Sequence, residues 1–305
     1  MKKTNIKLIL HLMPWEIDHL FFFFTQLKKS KYHLSDDVSI TIESSLNLSS
    51  FIINWKESKI PKQFFIDKYD FVSQLLSDYN HVKKVYDGDK WYGHLDMQRE
   101  SIDPEMDYYI VAMPDVNFSE YLLAYYVEAI KSIKNEYFLM CPQIAKLWDS
   151  SWDVITDIDC MDTPYDKWQT IDIFDIITKH TNPTQQVNLK PIPTSKFAGW
   201  FDICNKKFYE ELVPVWDEWE GYGGWDYYSM LVSDTYKHMG GDFQQYLLEG
   251  QTVVEYSTGP DTQDIGKYYK NYLVLNKLPY NQGELFKTKV IDYVKERLNK
   301  LGNIK

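Results

Sequence analysis

Tyr108-Tyr109-Ile110-Val111-Ala112-Met113, followed by Pro114-Asp115-Val116-Asn117, is the stretch that decides the architecture of this chain. An uncharged run of six residues, four of them β-branched or aromatic and closed by proline, reads as a buried strand. The proline stops it and delivers a carboxylate and an amide, two residues apart, at its carboxyl end. Next comes Phe118 to Ile133, where Phe118, Leu122, Tyr126, Ile130 and Ile133 share one helical face and Ser119 is a candidate cap.

Outward from this unit the same alternation repeats. Upstream, Ile6 to Leu12 closed by Met13-Pro14 reads as a first buried strand and Trp15 to Leu27 as a helix. Val38 to Ile42 reads as a second strand ending at Glu43-Ser44-Ser45, and Phe64 to Leu76 as a helix. His81 to Glu105 is irregular and reads as loop. Downstream, Tyr137 to Cys141 is a strand, Asp149 to Asn188 carries no clear period, and Lys196 to Ile203 is a strand running into a turn. Helices follow over Lys206 to Trp219, broken at Pro214, and over Asp226 to Met239. Val253 to Tyr256 is a last strand and Leu285 to Leu301 a terminal helix. Strands alternating with helices predict an α/β sheet with helices on its faces, whose ligands bind beyond the carboxyl ends of the strands. We expect one catalytic domain over 1–256 and a C-terminal helical extension over 257–305.

Composition narrows the function. The chain has 305 residues and a net charge of -11, and its small lysine groups (Lys28, Lys29 and Lys31; Lys295, Lys300 and Lys305) read as solvated faces. Phosphate backbones need clustered cations, so a nucleic-acid partner is not expected. Cys141, Cys160 and Cys204 are odd in number and widely spaced, which indicates neither a disulfide framework nor a zinc site and fits a cytoplasmic location. Polar residues interrupt the first apolar stretch well short of a membrane span. Aromatic residues make up 16% of the chain, with 24 Tyr and 10 Trp, more than a core requires, and such rings suit stacking on sugars and bases.

Three segments carry candidate chemistry. Asp115-Val116-Asn117 offers two oxygen ligands of the kind hard divalent cations take, though Asp-x-Asn after proline is also a common turn. Ser195 to Cys204 holds Gly199 and Trp200, where a glycine lets backbone approach a ligand, or simply makes a buried bend. Gly221 to Asp226 is a glycine-rich loop opening a helix, where Asp226 acts as a base on an acceptor hydroxyl or caps the helix.

Taken in order, Asp115-Val116-Asn117, Ala198-Gly199-Trp200-Phe201-Asp202 and Gly223-Gly224-Trp225-Asp226 resemble the motifs of GT-A glycosyltransferases, especially family 2-like inverting enzymes and the compact versions found in bacteriophages. The resemblance covers Ile6 to Tyr256. It implies a Rossmann-like mixed sheet flanked by helices, a nucleotide-sugar donor of which a UDP-sugar is the first choice, Mn²⁺ or Mg²⁺, and a glycan or other hydroxyl acceptor. It further implies that Asp115 and Asn117 hold the cation, that Asp226 is the general base, and that Pro14, Glu43, Gly199, Trp200, Gly223, Gly224 and Trp225 line the donor site. If the chain is viral, the host cytoplasm is its location. The chain departs from the family at Asn117 and Trp225, where acids are usual, and has no histidine after His238. A GT-A-like carbohydrate-binding protein without catalysis and a glycoside hydrolase using paired acids are the alternatives.

Overall fold

The computed structural model describes residues 3–48, 60–88, 94–146, 177–178, 181, 186–192, 201–213, 225–255 and 282–300. Its centre is β1 (Thr4–Leu12), whose last seven residues are all buried. Beside it runs β2 (Val38–Asn47) in parallel, from Thr4 opposite Val38 to Leu12 opposite Leu46. On the other side β4 (Tyr108–Ala112) is also parallel, from Ile6 opposite Tyr108 to Leu10 opposite Ala112. β3 (Asn80–Tyr86) extends the sheet beyond β2.

Past β4 the sheet becomes mixed. β8 (Phe201–Asn205) is antiparallel to both β4 and β6 (Tyr137–Lys146), and β9 (Phe243–Glu255) runs parallel to β6. The far side of β9 carries β7 (Asn188–Ile192) along its first half and β5 (Val116–Phe118) along its last residues. Between those halves the register against β6 jumps: Pro142 faces Leu248, but Gln143 faces Thr252. Gly250 sits in this bulge at φ +78°, a conformation glycine adopts without strain.

Helices cover both faces. On one lie α1 (Ile17–Ser30), α2 (Lys62–Ser73) and α4 (Leu122–Ile130), with Phe23 stacked on Phe201 at 5.7 Å and edge-on to Phe118 at 5.0 Å. On the other lie the short α3 (His94–Arg99) and a π-type turn over Phe208–Leu212, where Tyr209 stacks on Tyr109 at 4.1 Å. Two more helices, α5 (Trp225–His238) and α6 (Gln282–Lys300), pack on each other. From α6, Val290, Val294 and Leu298 enter the core, and Arg297 donates to the Tyr137 hydroxyl at 2.9 Å. The result is the Rossmann-like mixed sheet with flanking helices and a terminal helix that the sequence predicts. Cys141 and Cys204 are buried free thiols. No described helix is long and apolar enough to cross a membrane.

Several elements differ from expectation: β9 begins at Phe243 rather than Val253, β7 is an additional strand, α3 lies in the stretch read as loop, and Phe208–Leu212 is a π-type turn within the span read as a helix. β2 does not stop at Ile42; it continues through Glu43-Ser44-Ser45 to Asn47, because Glu43 and Ser44 find polar partners inside the fold. Ser44 Oγ lies 2.5 Å from the Tyr69 hydroxyl and 2.7 Å from His81 Nε2. β3 falls in the stretch read as loop: it is an edge strand with Lys83 and Lys84, the charge pattern that protects an edge and hides its period. Phe118 belongs to β5 rather than to the following helix, which starts at Leu122.

His81 supplies a pH test of this packing. Burial, with Lys83 nearby, holds its imidazole down at about 4, below the usual value of 6.5. Between those values the unfolded chain binds a proton that the folded chain refuses, so this contribution is present above pH 6.5 and lost as pH falls towards 4. Denaturant titrations should show stability falling from pH 7 to 4, and His81→Gln should flatten that acid limb. An unchanged limb in the variant would assign the loss elsewhere.

Candidate functional site

The strand order β3-β2-β1-β4 reverses between β1 and β4, since the chain steps outward from β1 through β2 to β3 and then returns to β1's other side. At such a switch point the loops leaving the two neighbouring strands part, and a crevice opens beyond their carboxyl ends. β1 ends at Leu12 and β4 at Ala112, so the segments that flank this crevice are Met13 to Glu16 and Met113 to Asn117.

The first segment is a 3₁₀ turn over Pro14–Glu16, with Pro14 buried at its opening position, where its missing N–H costs nothing. Glu16 closes the turn: its Oε2 accepts the Met13 N–H at 2.6 Å, and its own N–H donates to the Met13 carbonyl at 3.0 Å. That bond turns the carboxyl inward. Burial, and then the charge of Asp115, push Glu16 up to about 8 although the residue as a whole keeps some exposure. The acids of the two segments thus sense each other across the crevice.

In the second segment Asp115 is 6% exposed and Asn117 3%. Asn117 lies within β5, opposite Val254 of β9, so the strand beyond the Gly250 bulge holds it in place. Its Oδ1 is buried with no hydrogen-bond partner, a cost of roughly 1–3 kcal/mol for an acceptor shut away from water. Asp202 is a further buried acid, 1% exposed, paired in register with Val111 one residue before the end of β4. After burial, its charge is the next cause raising the Tyr126 hydroxyl and the Cys141 and Cys204 thiols. His11, also buried, is the penultimate residue of β1.

Glu43 is placed differently from what its sequence position suggested. It lies inside β2 opposite Ile9, and its oxygens meet Lys7 Nζ at 2.8 Å, Lys84 Nζ at 2.7 Å and Ser101 Oγ at 2.5 Å. Burial raises its pKa, but these three donors outweigh it and hold the carboxylate below its usual value. Its hydrogen-bonding capacity is largely taken by the sheet. His238 is exposed, on the last turn of α5, with Nδ1 2.9 Å from the Asp234 carbonyl of its own helix.

The third motif is described only in part. Trp225 and Asp226 are the first two residues of α5; Gly199, Trp200, Gly223 and Gly224 lie outside the described residues. Sequence reasoning overlooked Glu16 and did not single out Asp202. A glutamate two residues beyond a strand-ending Met-Pro was a legible turn signal, whereas the placing of Asp202 depends on a cross-strand neighbour 91 positions earlier, Val111.

No protein-family model matches the chain, and no curated protein sequence matches it. Among solved structures it is similar to GalNAc-T7 with UDP, GalNAc and Mn²⁺, at 12% identity and TM-score 0.46, covering 95% of this chain and 54% of that one. It is also similar to S. aureus TarS 1-349 in complex with UDP, at 8% identity and TM-score 0.44, covering 97% of this chain and 72% of that one. A third similar structure is 4-diphosphocytidyl-2C-methyl-D-erythritol synthase from Anaerococcus prevotii, at 12% identity and TM-score 0.41, covering 90% of this chain and 99% of that one.

The Glu43 network yields a direct expectation. Glu43→Ala leaves Lys7 buried beside no carboxylate, which should cost about 3–5 kcal/mol. Urea unfolding checks this; a loss under about 1 kcal/mol would show that the network does not hold the strands together.

Proposed function

We propose that this chain is a glycosyltransferase that moves a sugar from a nucleotide-diphosphate donor, a UDP-sugar first among them, to the hydroxyl of a glycan or other acceptor. The observation that carries the reading is the set of buried oxygen donors at the switch point: Asp115 beside Glu16, with an unpartnered Asn117 Oδ1 in the same segment. A buried acceptor without a donor, two residues from a buried acid, is a place where a positive ligand is stabilised and an apolar one is not.

The residues fit a hard divalent cation. Its preferred ligands are carboxylate and amide oxygens, and a cation held by one or two protein groups takes the rest of its shell from substrate phosphates and water. Asp115 and Asn117 would hold the ion, with Glu16 the next available carboxylate; Mn²⁺ or Mg²⁺ would stabilise the charge on the departing diphosphate.

The protein's own groups do the rest. Pro14 fixes the turn that brings Glu16 to the crevice. Asp226, at the N-terminal turn of α5, takes the proton from the acceptor hydroxyl as its oxygen bonds to the anomeric carbon and the bond to the diphosphate breaks. Gly199, Trp200, Gly223, Gly224 and Trp225 are proposed to line the donor and acceptor positions. Attack from the side opposite the leaving group inverts the anomeric configuration.

Calorimetry with UDP and Mn²⁺ tests the donor site. Asp115→Ala should abolish Mn²⁺-dependent nucleotide binding with the fold intact, and Asn117→Asp should retain it or tighten it. Nucleotide binding that is indifferent to both Mn²⁺ and Asp115→Ala would remove the proposed cation site. For the base, Asp226→Asn should lower turnover by roughly 10²–10⁴ while donor affinity stays within about twofold. An equal loss of donor binding would make Asp226 a structural cap, and an NMR spectrum showing retained anomeric configuration would exclude it as the base of an inverting step.

A further inference from the structure

The outer face of α1 is not an ordinary solvated helix face. At helical spacing it carries Asp18, Phe21, Phe22, Thr25, Lys28 and Lys29, while Ile17, Leu20, Phe23, Phe24 and Leu27 point into the core. Phe21 and Phe22 are 50% and 48% exposed, and their rings meet edge to face at 5.7 Å. α2 packs beside α1 and continues the patch. Lys68 of α2 pairs with Asp18 of α1 at 2.5 Å, with its Nζ 5.9 Å from the centroid of the Phe64 ring. Phe64 is 50% exposed, and Phe71, two turns further along α2, is 69% exposed. Four half-bare phenylalanines on two adjoining helices form an apolar surface that water does not favour.

The charges around those rings decide what fits there. Two acids of the patch are paired with cations, Asp18 with Lys68 and Asp70 with Lys83, while the partner of Asp67, Gln63, carries no charge, so one uncompensated acid stands against the two lysines of α1. Lys28 and Lys29, at the C-terminal end of α1, are exposed and make no ion pair among the described residues. Tyr32, 80% exposed, follows them on the next turn. A chain of net charge -11 therefore presents, beside its exposed rings, cations left over. A second copy docked here by two-fold symmetry would bring the same unmatched lysines to the contact. A layer of anionic headgroups over acyl chains matches both halves, because it attracts the lysines and receives the rings.

We infer that the α1–α2 face rests on an anionic lipid surface, with Phe21, Phe22, Phe64 and Phe71 entering the headgroup boundary and Lys28 and Lys29 contacting the headgroups. The association lies on the membrane rather than through it, in keeping with described helices none of which can span. It does not depend on the transfer chemistry, so either reading can fail alone.

Co-sedimentation of the full chain with vesicles tests it, using phosphatidylcholine mixed with phosphatidylglycerol against phosphatidylcholine alone, with the oligomeric state measured by sedimentation velocity. The chain should bind the anionic vesicles and release in high salt. Phe21→Ser with Phe22→Ser should weaken binding by about tenfold or more, and Lys28→Glu with Lys29→Glu by at least about fivefold per lysine. Both pairs are exposed, so thermal unfolding should stay near wild type, and the lysine pair remains informative if the serine pair misfolds. Failure to bind anionic vesicles, equal binding to neutral ones, or binding unaffected by either pair overturns the inference. A dimer that the serine pair dissociates, with no vesicle binding, assigns the face to a second copy instead.

Discussion

The structure depends on the dry, parallel seating of β1 between β2 and β4. Leu8, Ile9, Leu10 and Leu12 have no solvent exposure, and their register aligns the carboxyl ends of the strands. A slip of one residue would carry Lys7 to the face now held by Ile6, Leu8 and Leu10 and separate it from Glu43, so the register is fixed. From that alignment the crevice follows. The chain leaves β1 toward β2 and re-enters on the far side at β4, so the turns at Met13 and Met113 part where their strands end.

Inside this apolar frame, charge is admitted only where it is answered. Glu43 is 2% exposed and stands among Lys7, Lys84 and Ser101, which tie β1, β2, β3 and the segment after α3 together on one face. Ser44, one residue on, meets Tyr69 and His81 on the opposite face. Such networks contribute less through net energy than through what they forbid, since any other register would leave a buried charge alone. The crevice follows the contrary rule. Asn117 Oδ1 has no donor, and the charge of Asp115 works against ionisation of Glu16. Asn117 Oδ1, left without a donor in a protein that satisfies Glu43 so fully, is the observation on which the proposed ligand site rests.

The long β9 strand joins these two regimes. Its first half pairs with β7 and its end with β5, and the bulge at Gly250 between them shifts the register against β6. Because Asn117 is positioned from the end of β9, the geometry of the crevice is set partly by a residue 133 positions later in the chain, Gly250. The face of α1 and α2 turned away from the sheet follows yet another logic. There the apolar residues are in excess, and Asp18 and Lys68 hold the two helices side by side so that the rings form one surface.

What the sequence determined by itself was the periodic and the local. YYIVAM before Pro114 named a central strand, Ile6 to Leu12 another, and the alternation of such runs with helices named the class of sheet. Asp115, Asn117 and the start of the helix at Asp226 were legible because a turn or helix terminus is written in neighbouring residues. Tertiary structure decided whatever depended on partners far along the chain. Glu43-Ser44-Ser45 looked like the end of a strand because polar residues in isolation have no reason to enter a core; Lys7, Lys84, Ser101, Tyr69 and His81 supply that reason only after folding. The lysines of β3 concealed an edge strand, and Glu16 feels the charge of Asp115 only once β1 and β4 lie side by side. Periodicity is a property of a few consecutive residues, whereas the satisfaction of a buried charge is a property of the folded pair.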